Sequence, residues 1–214
     1  MSELIINIVV WAVPVLLAIT VHEAAHGYVA RHFGDPTAEQ AGRISLDPFR
    51  HIDPMGTVVV PLCIFMFSSL TGNPWTFGWA KPVPVNFSRL RNPKADMLWV
   101  AAAGPFANLA MALVWAVIYA LIARKVPYVY VQIAVAGMMI NGALMFLNLL
   151  PIPPLDGGRI AFSLLPDRLA WKYARIEPFG FIILLALIAT GLLGAILGPL
   201  LGAFLKGLMK LFGH

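Results

Sequence analysis

Polar and apolar residues separate along this chain in blocks about as long as a bilayer is thick. Residues 4–19 hold no charge and one side-chain amide, Asn7. A helix needs about 20 apolar residues to cross roughly 30 Å of hydrocarbon. Four runs reach that length, at residues 4–28, 97–123, 126–150 and 179–205, the last three without a charged side chain. A fifth run, 55–70, is short, contains Pro61 and lies between the turn-forming stretches HIDPMG and TGNPWTFG. It reads as a re-entrant segment that dips into the membrane and returns. GWAKPVPVNF follows and predicts extended chain, because each proline disfavours α conformation in the residue before it. The last stretch, AFLKGLMKLFGH, places Lys206 and Lys210 four apart among apolar residues, as in a helix end at the membrane interface.

Composition agrees with this pattern. A chain of 214 residues that is 60% hydrophobic and 12% charged is not a soluble globular domain. Its net charge of +5 reports loop orientation in a membrane protein, so no nucleic-acid partner is expected. If residues 55–70 turn back, all basic residues except Arg124, Lys125, Lys206 and Lys210 share one side, eleven against four of the 15. If they cross, the split is seven against eight, which erases the asymmetry that insertion reads. The re-entrant reading puts the N-terminus outside and the basic loops in the cytoplasm. Cys63 stands alone and makes no internal disulfide. No Lys or Arg precedes Arg31, so the first run lacks the basic region of a signal peptide and is expected to stay as an anchor.

Against this background VHEAAHGYVARHFG, residues 21–34, is out of place. A charged residue within a spanning helix costs roughly 2.5–3.5 kcal/mol on insertion scales, so function must retain it. His22 and His26 share one helical face with Glu23 beside them, the H-E-x-x-H spacing in which two imidazoles hold zinc and the glutamate handles protons. Satisfaction of all three groups by neighbouring helices is the bland alternative. Catalytic zinc usually takes three protein ligands and keeps a further position open. Asp156, in NLLPIPPLDGGRI, is the carboxylate that ends another apolar run. Pro151, Pro153 and Pro154 prevent regular helix there, and Gly157 and Gly158 permit close backbone approach. Read alone, Asp156 could equally cap the next helix.

HExxH on one membrane helix, with NxxPxPxxDGG after another, resembles the site-2 protease family of intramembrane zinc metalloproteases. The likeness extends from His22 through Arg159 and includes GPFAN, similar to the family's Gly-x-x-x-Asn element at Gly104 and Asn108. It implies one Zn2+ held by His22, His26 and Asp156, with Glu23 as catalytic base. Asn148, Asn108 and Gly104 would support the substrate site. Asn141, seven residues before Asn148, either faces the same cavity or makes an interhelical hydrogen bond. The stretches GRISLDPFRHIDPMGT and FGWAKPVPVN resemble the compact subgroup without PDZ or CBS domains. The family also implies a small membrane-associated β element, with residues 42–46 and 83–86 as candidates; a plain surface hairpin serves those residues equally well. His51 is read as a solvated or hydrogen-bonded histidine, and His32 and His214 have no partner pattern.

The expected architecture is therefore a single all-α polytopic membrane domain over residues 1–214. It comprises an HExxH helix at 4–33, a β and re-entrant region at 42–90, a middle helix at 95–124, a helix with the Asp-Gly motif at 127–158, and a C-terminal helical region at 178–212. A cation shared by His22 and Asp156 requires the C-terminal ends of the first and third long helices on one side. Residues 55–70 must then contribute no crossing or two. The resemblance implies hydrolysis of peptide bonds within or near the transmembrane segments of single-span membrane proteins, in the lipid bilayer of a prokaryotic inner membrane, with the active site nearer the cytoplasm. The alternatives weighed are a transporter or channel with an intramembrane metal site, and a zinc-stabilised scaffold.

Overall fold

The computed structural model describes residues 3–70 and 78–213, and every regular element among them is helical. In chain order the α-helices are α1 (Glu3–His32), α2 (Thr37–Gln40), α3 (Val60–Leu70), α4 (Pro93–Ile122), α5 (Tyr128–Asn148), α6 (Asp156–Leu164), α7 (Asp167–Ala174), α8 (Gly180–Ala189) and α9 (Leu192–Phe212). Among the described residues four helices are long and apolar enough to cross a membrane: Val9–His32, Pro93–Ile122, Tyr128–Asn148 and Leu192–Phe212. Their outer faces carry exposed Trp11, Phe106, Val117 and Leu200, which suit lipid and not water.

Lipid tails are as apolar as leucine, so membrane helices associate through close packing, which small residues allow. Helices α1, α4 and α5 meet in that way. Ala18, Ala24 and Ala30 of α1, Ala101, Ala112 and Ala116 of α4, and Ala134 and Ala136 of α5 are all buried. Trp115 of α4 lies flat on Gly137 of α5, where a Cβ would overlap the indole. Leu208 of α9 completes this cluster with Ala112, Ala116, Ala134 and Met138.

Two expectations are corrected. The single C-terminal span predicted at 179–205 is two helices, α8 and α9. Gly191 ends α8 in the left-handed region (φ 73°), with the Thr190 and Gly191 amides donating back to Ala186 and Ile188. Glycine is common inside membrane helices, so its presence in an apolar run gave no stop signal. Lys206 and Lys210 lie near the C-terminal end of α9, Lys210 in its last turn.

The β element is absent among the described residues. Residues 42–46 and 83–86 pair with no strand. Pro82 and Pro84 have no N–H to give to a ladder. Charged side chains hold this extended stretch instead. Arg43 Nη2 donates to the Lys81 carbonyl at 2.6 Å, the Val83 amide to Glu23 Oε2 at 2.7 Å, and the Asn86 amide to Asp35 Oδ2 at 2.6 Å.

The apolar run predicted at 55–70 forms a wide π-type turn over Pro54–Val59 that continues into α3. The chain is back where this segment began by Trp79. The Trp79 amide donates to the Gly56 carbonyl at 2.9 Å, its indole N–H to Asp53 Oδ2 at 3.1 Å, and its carbonyl accepts from Thr57 Oγ1 at 2.9 Å.

Candidate active site

Four residues apart on α1, His22 and His26 point towards α4, where Gly104 makes room for them. A Cβ at Gly104 would lie 2.5–2.6 Å from atoms of both rings. The other ring nitrogens are committed. His22 Nδ1 donates to Asn108 Oδ1 at 2.6 Å, and His26 Nδ1 donates to the Val100 carbonyl at 2.7 Å. Asn108 is wholly buried, and its Nδ2 donates to the Ala18 carbonyl (3.3 Å) and Asn141 Oδ1 (3.0 Å), which leaves its Oδ1 for the imidazole. With a proton fixed on each Nδ1, each Nε2 presents a lone pair inward.

Asp156 opens α6. Gly157 and Gly158 bring it against the end of α5: a Cβ at Gly157 would overlap the Leu149 and Leu150 carbonyls, and one at Gly158 would lie 2.6 Å from the Pro153 nitrogen. The Oδ2 of Asp156 reaches His22 Nε2 at 3.2 Å and His26 Nε2 at 3.3 Å, and the two Nε2 atoms are 3.1 Å apart. All three residues are buried. This oxygen has no hydrogen-bond donor of its own among the described residues.

Three converging electron pairs repel one another unless something positive lies between them. Ligands about 2.0–2.1 Å from a tetrahedral Zn2+ sit about 3.3 Å from each other. The observed spacing fits that cation, and the donor set of two imidazoles and a carboxylate suits it chemically.

The remaining predicted residues fall in different places. Glu23 is half-buried beside the histidines and faces the extended segment through its bond to Val83. Gly104 and Asn108 lie against the imidazoles. Asn141 makes the interhelical hydrogen bond, to Asn108, while its own Nδ2 donates to the Gly137 carbonyl at 2.9 Å. Asn148 is bonded to its own helix, through Nδ2 to the Leu144 carbonyl at 3.1 Å, and makes no described hydrogen bond to the histidine–aspartate group. His51 is buried and donates from Nε2 to the Ser45 carbonyl at 2.9 Å, away from the site. His32 is exposed, and His214 lies outside the described residues. The sequence reading missed the Val100 carbonyl and the Val83 amide. Both are backbone groups, so no residue type marks them. Arg43, which is buried and clamps Lys81 next to Pro82, was equally hidden, since its burial depends on the tertiary fold.

A bundle of spanning helices with HExxH inside the first, and a carboxylate delivered to it from beyond the third, defines the class of an intramembrane metallopeptidase. The comparisons with known proteins agree. The profile of Peptidase family M50 matches residues 121–190. A Bacillus subtilis (strain 168) protein named "Putative zinc metalloprotease YwhC" is 34% identical over 210 residues, 94% of this chain and 89% of that one. "Putative zinc metalloprotease Rip2" of Mycolicibacterium smegmatis is 31% identical over 177 residues, 82% of this chain and 64% of that one. Its namesake in Mycobacterium tuberculosis (strain H37Rv) is 32% identical over 143 residues, 66% and 52% of the two chains. No solved structure matches significantly. The chain belongs to peptidase family M50, the site-2 protease family. It is a multi-pass membrane peptidase, and this membership decides against the transporter.

Proposed function

We propose that His22, His26 and Asp156 hold one Zn2+ and that Glu23 is the general base in hydrolysis of peptide bonds within or near the transmembrane segments of single-span membrane proteins. The observation that carries this reading is the convergence of His22 Nε2, His26 Nε2 and Asp156 Oδ2 at 3.1–3.3 Å with both Nδ1 atoms already committed. Bound there, the cation supplies Lewis acidity, which acidifies water and polarises the scissile carbonyl. The protein supplies the rest. Asn108 and the Val100 carbonyl orient the two imidazoles. Gly104 admits them side by side. The Val83 amide fixes one carboxylate oxygen of Glu23, which leaves Oε1 to take the proton of the attacking water and pass it to the leaving nitrogen.

The run at 55–70 enters and leaves the membrane on one side in this reading, a reading supported by the bonds from Trp79 back to Asp53 and Gly56 where the segment began. The N-terminus is then outside, and the site lies at the cytoplasmic end of α1. The host membrane is a prokaryotic inner membrane, in keeping with the bacterial relatives.

Purified Glu23→Gln protein tests the assignment. Hydrolysis of a helical membrane substrate should vanish while bound zinc stays near one per chain. Persisting hydrolysis would remove Glu23 from the chemistry. Asp156→Ala should be isolated with little metal, and normal zinc content in that variant would remove Asp156 from the ligand set.

A further inference from the structure

Beside the candidate site lies a cavity of about 320 Å³ that none of its metal-facing residues lines. Val85 and Phe87 form one wall, Gly158 and Phe162 of α6 another, and Tyr173 and Ala174 of α7 close it. Its charged residues among those described, Arg159 and Glu177, are exposed.

Two chain segments are shared by the site and the cavity. Val85 follows Val83, whose amide holds Glu23, by two residues, so the Cα atoms of the two valines are at most about 7 Å apart. Gly158 follows Asp156 by two residues, so their Cα atoms are at most about 7 Å apart.

We propose that this cavity is a specificity pocket that takes one bulky apolar side chain, aromatic or branched, from an unwound stretch of the substrate about two or three residues from the scissile bond. The proposal rests on the proteolytic reading above and names what that site selects. Volume supports it. The cavity lies at the lower end of the roughly 300–1,000 Å³ range of ligand pockets, room for a side chain and its flanking peptide units. A substrate helix about 10–12 Å across has no place in it.

The polar atom in its wall points to the same occupant. The Tyr173 hydroxyl is buried and has no hydrogen-bond partner among the described residues. Burial raises its pKa, so it remains a donor at neutral pH. An extended peptide carries free carbonyl groups and offers the missing acceptor, whereas an intact substrate helix has already used its own.

The test is a set of membrane substrates differing at each position around the cleavage site, offered to the parent enzyme and to two variants. Ala174→Phe fills the pocket and Phe162→Ala enlarges it. At one position, Ala174→Phe should lower kcat/KM about tenfold or more for Phe, Leu or Trp while leaving Ala and Gly nearly unchanged. Phe162→Ala should move the preference there towards Trp. Zinc content and melting temperature equal to the parent's show that both variants are folded. A uniform loss across all positions, as expected if lipid or a structural defect is responsible, or no change at all, would overturn the pocket. The same peptides, carrying a photoreactive phenylalanine at that position, are also bound to Glu23→Gln protein. Crosslinks should fall on the residues of the cavity wall, and crosslinks confined elsewhere would overturn the assignment. Crosslinks in the wall from a parent that hydrolyses nothing would leave the pocket standing and refute the proteolytic reading.

Discussion

At the scale of single residues, the site depends on a glycine and an amide more than its motif suggests. Gly104→Ala would place a methyl group 2.5–2.6 Å from both imidazoles, and neither ring can retreat, because each is tethered through Nδ1. We expect this variant to fold, since alanine favours helix, but to lose most of its zinc and activity; metal analysis of purified protein checks this. Asn108→Ala removes the acceptor that orients His22 and should weaken zinc binding about 10–100-fold, in the range seen when a partner of a metal-bound histidine is lost. A competitive chelator titration measures it. The HExxH spacing and the Asp-Gly motif were legible because helical periodicity and paired glycines are local properties. The partners of the histidines were less so. GPFAN marked Gly104 and Asn108 as candidates for substrate-site support, but their contacts with His22 and His26 exist only once α4 lies against α1.

The elements show where local rules suffice and where they fail. Three of the four predicted spans appear within a few residues of their expected ends, since an uncharged run of 20 or more residues has few other options in lipid. The fourth was misread at Gly191, whose positive φ depends on the turn and not on the residue alone. Gly191→Ala keeps open space around the new methyl group but must hold a left-handed conformation, which costs about 1–2 kcal/mol. Thermal unfolding in detergent should show that loss, and Gly191→Asn should lose less. The extended stretch around Val83 was anticipated from Pro-Val alternation. Its partners were not, because they are the side chains of Arg43, Glu23 and Asp35, all distant in sequence. Helix α7 is fastened by Lys94, which donates to Asp167 and to the Leu165 carbonyl, both at 2.6 Å. Lys94 holds the exposed Asp167 carboxyl below its ordinary pKa. A lowered pKa in the folded state means that this contribution is fully present above the unfolded value of about 3.9, and is lost as pH falls through the lowered one. Trp171 fluorescence in α7 should therefore stay flat from neutral pH down to the ordinary carboxylate range and change only below it. Asp167→Asn should abolish that step.

Topology belongs to the whole molecule, and one geometric fact constrains it. Asp156 opens α6, whose first glycines pack against the end of α5, and the histidines sit in the last turns of α1, so their meeting places the C-terminal ends of both helices on the same side. Between those ends the chain crosses with α4 and returns with α5. With a cation shared as proposed, the run at 55–70 adds no net crossing, and the Trp79 amide bonds back to the Gly56 carbonyl near the start of that run. Loop charge reaches the same answer independently, since this arrangement gathers eleven of the 15 basic residues on one side. Single cysteines in a Cys63→Ser background measure it directly. Cysteines introduced at Arg50, Arg89 and Lys172 should react with an impermeant maleimide only from the cytoplasmic side, and one at Lys125 only from outside. Labelling of the Arg50 and Arg89 positions from opposite faces would mean that the segment between them spans the bilayer. Asp156 and the two imidazoles could not then share a cation.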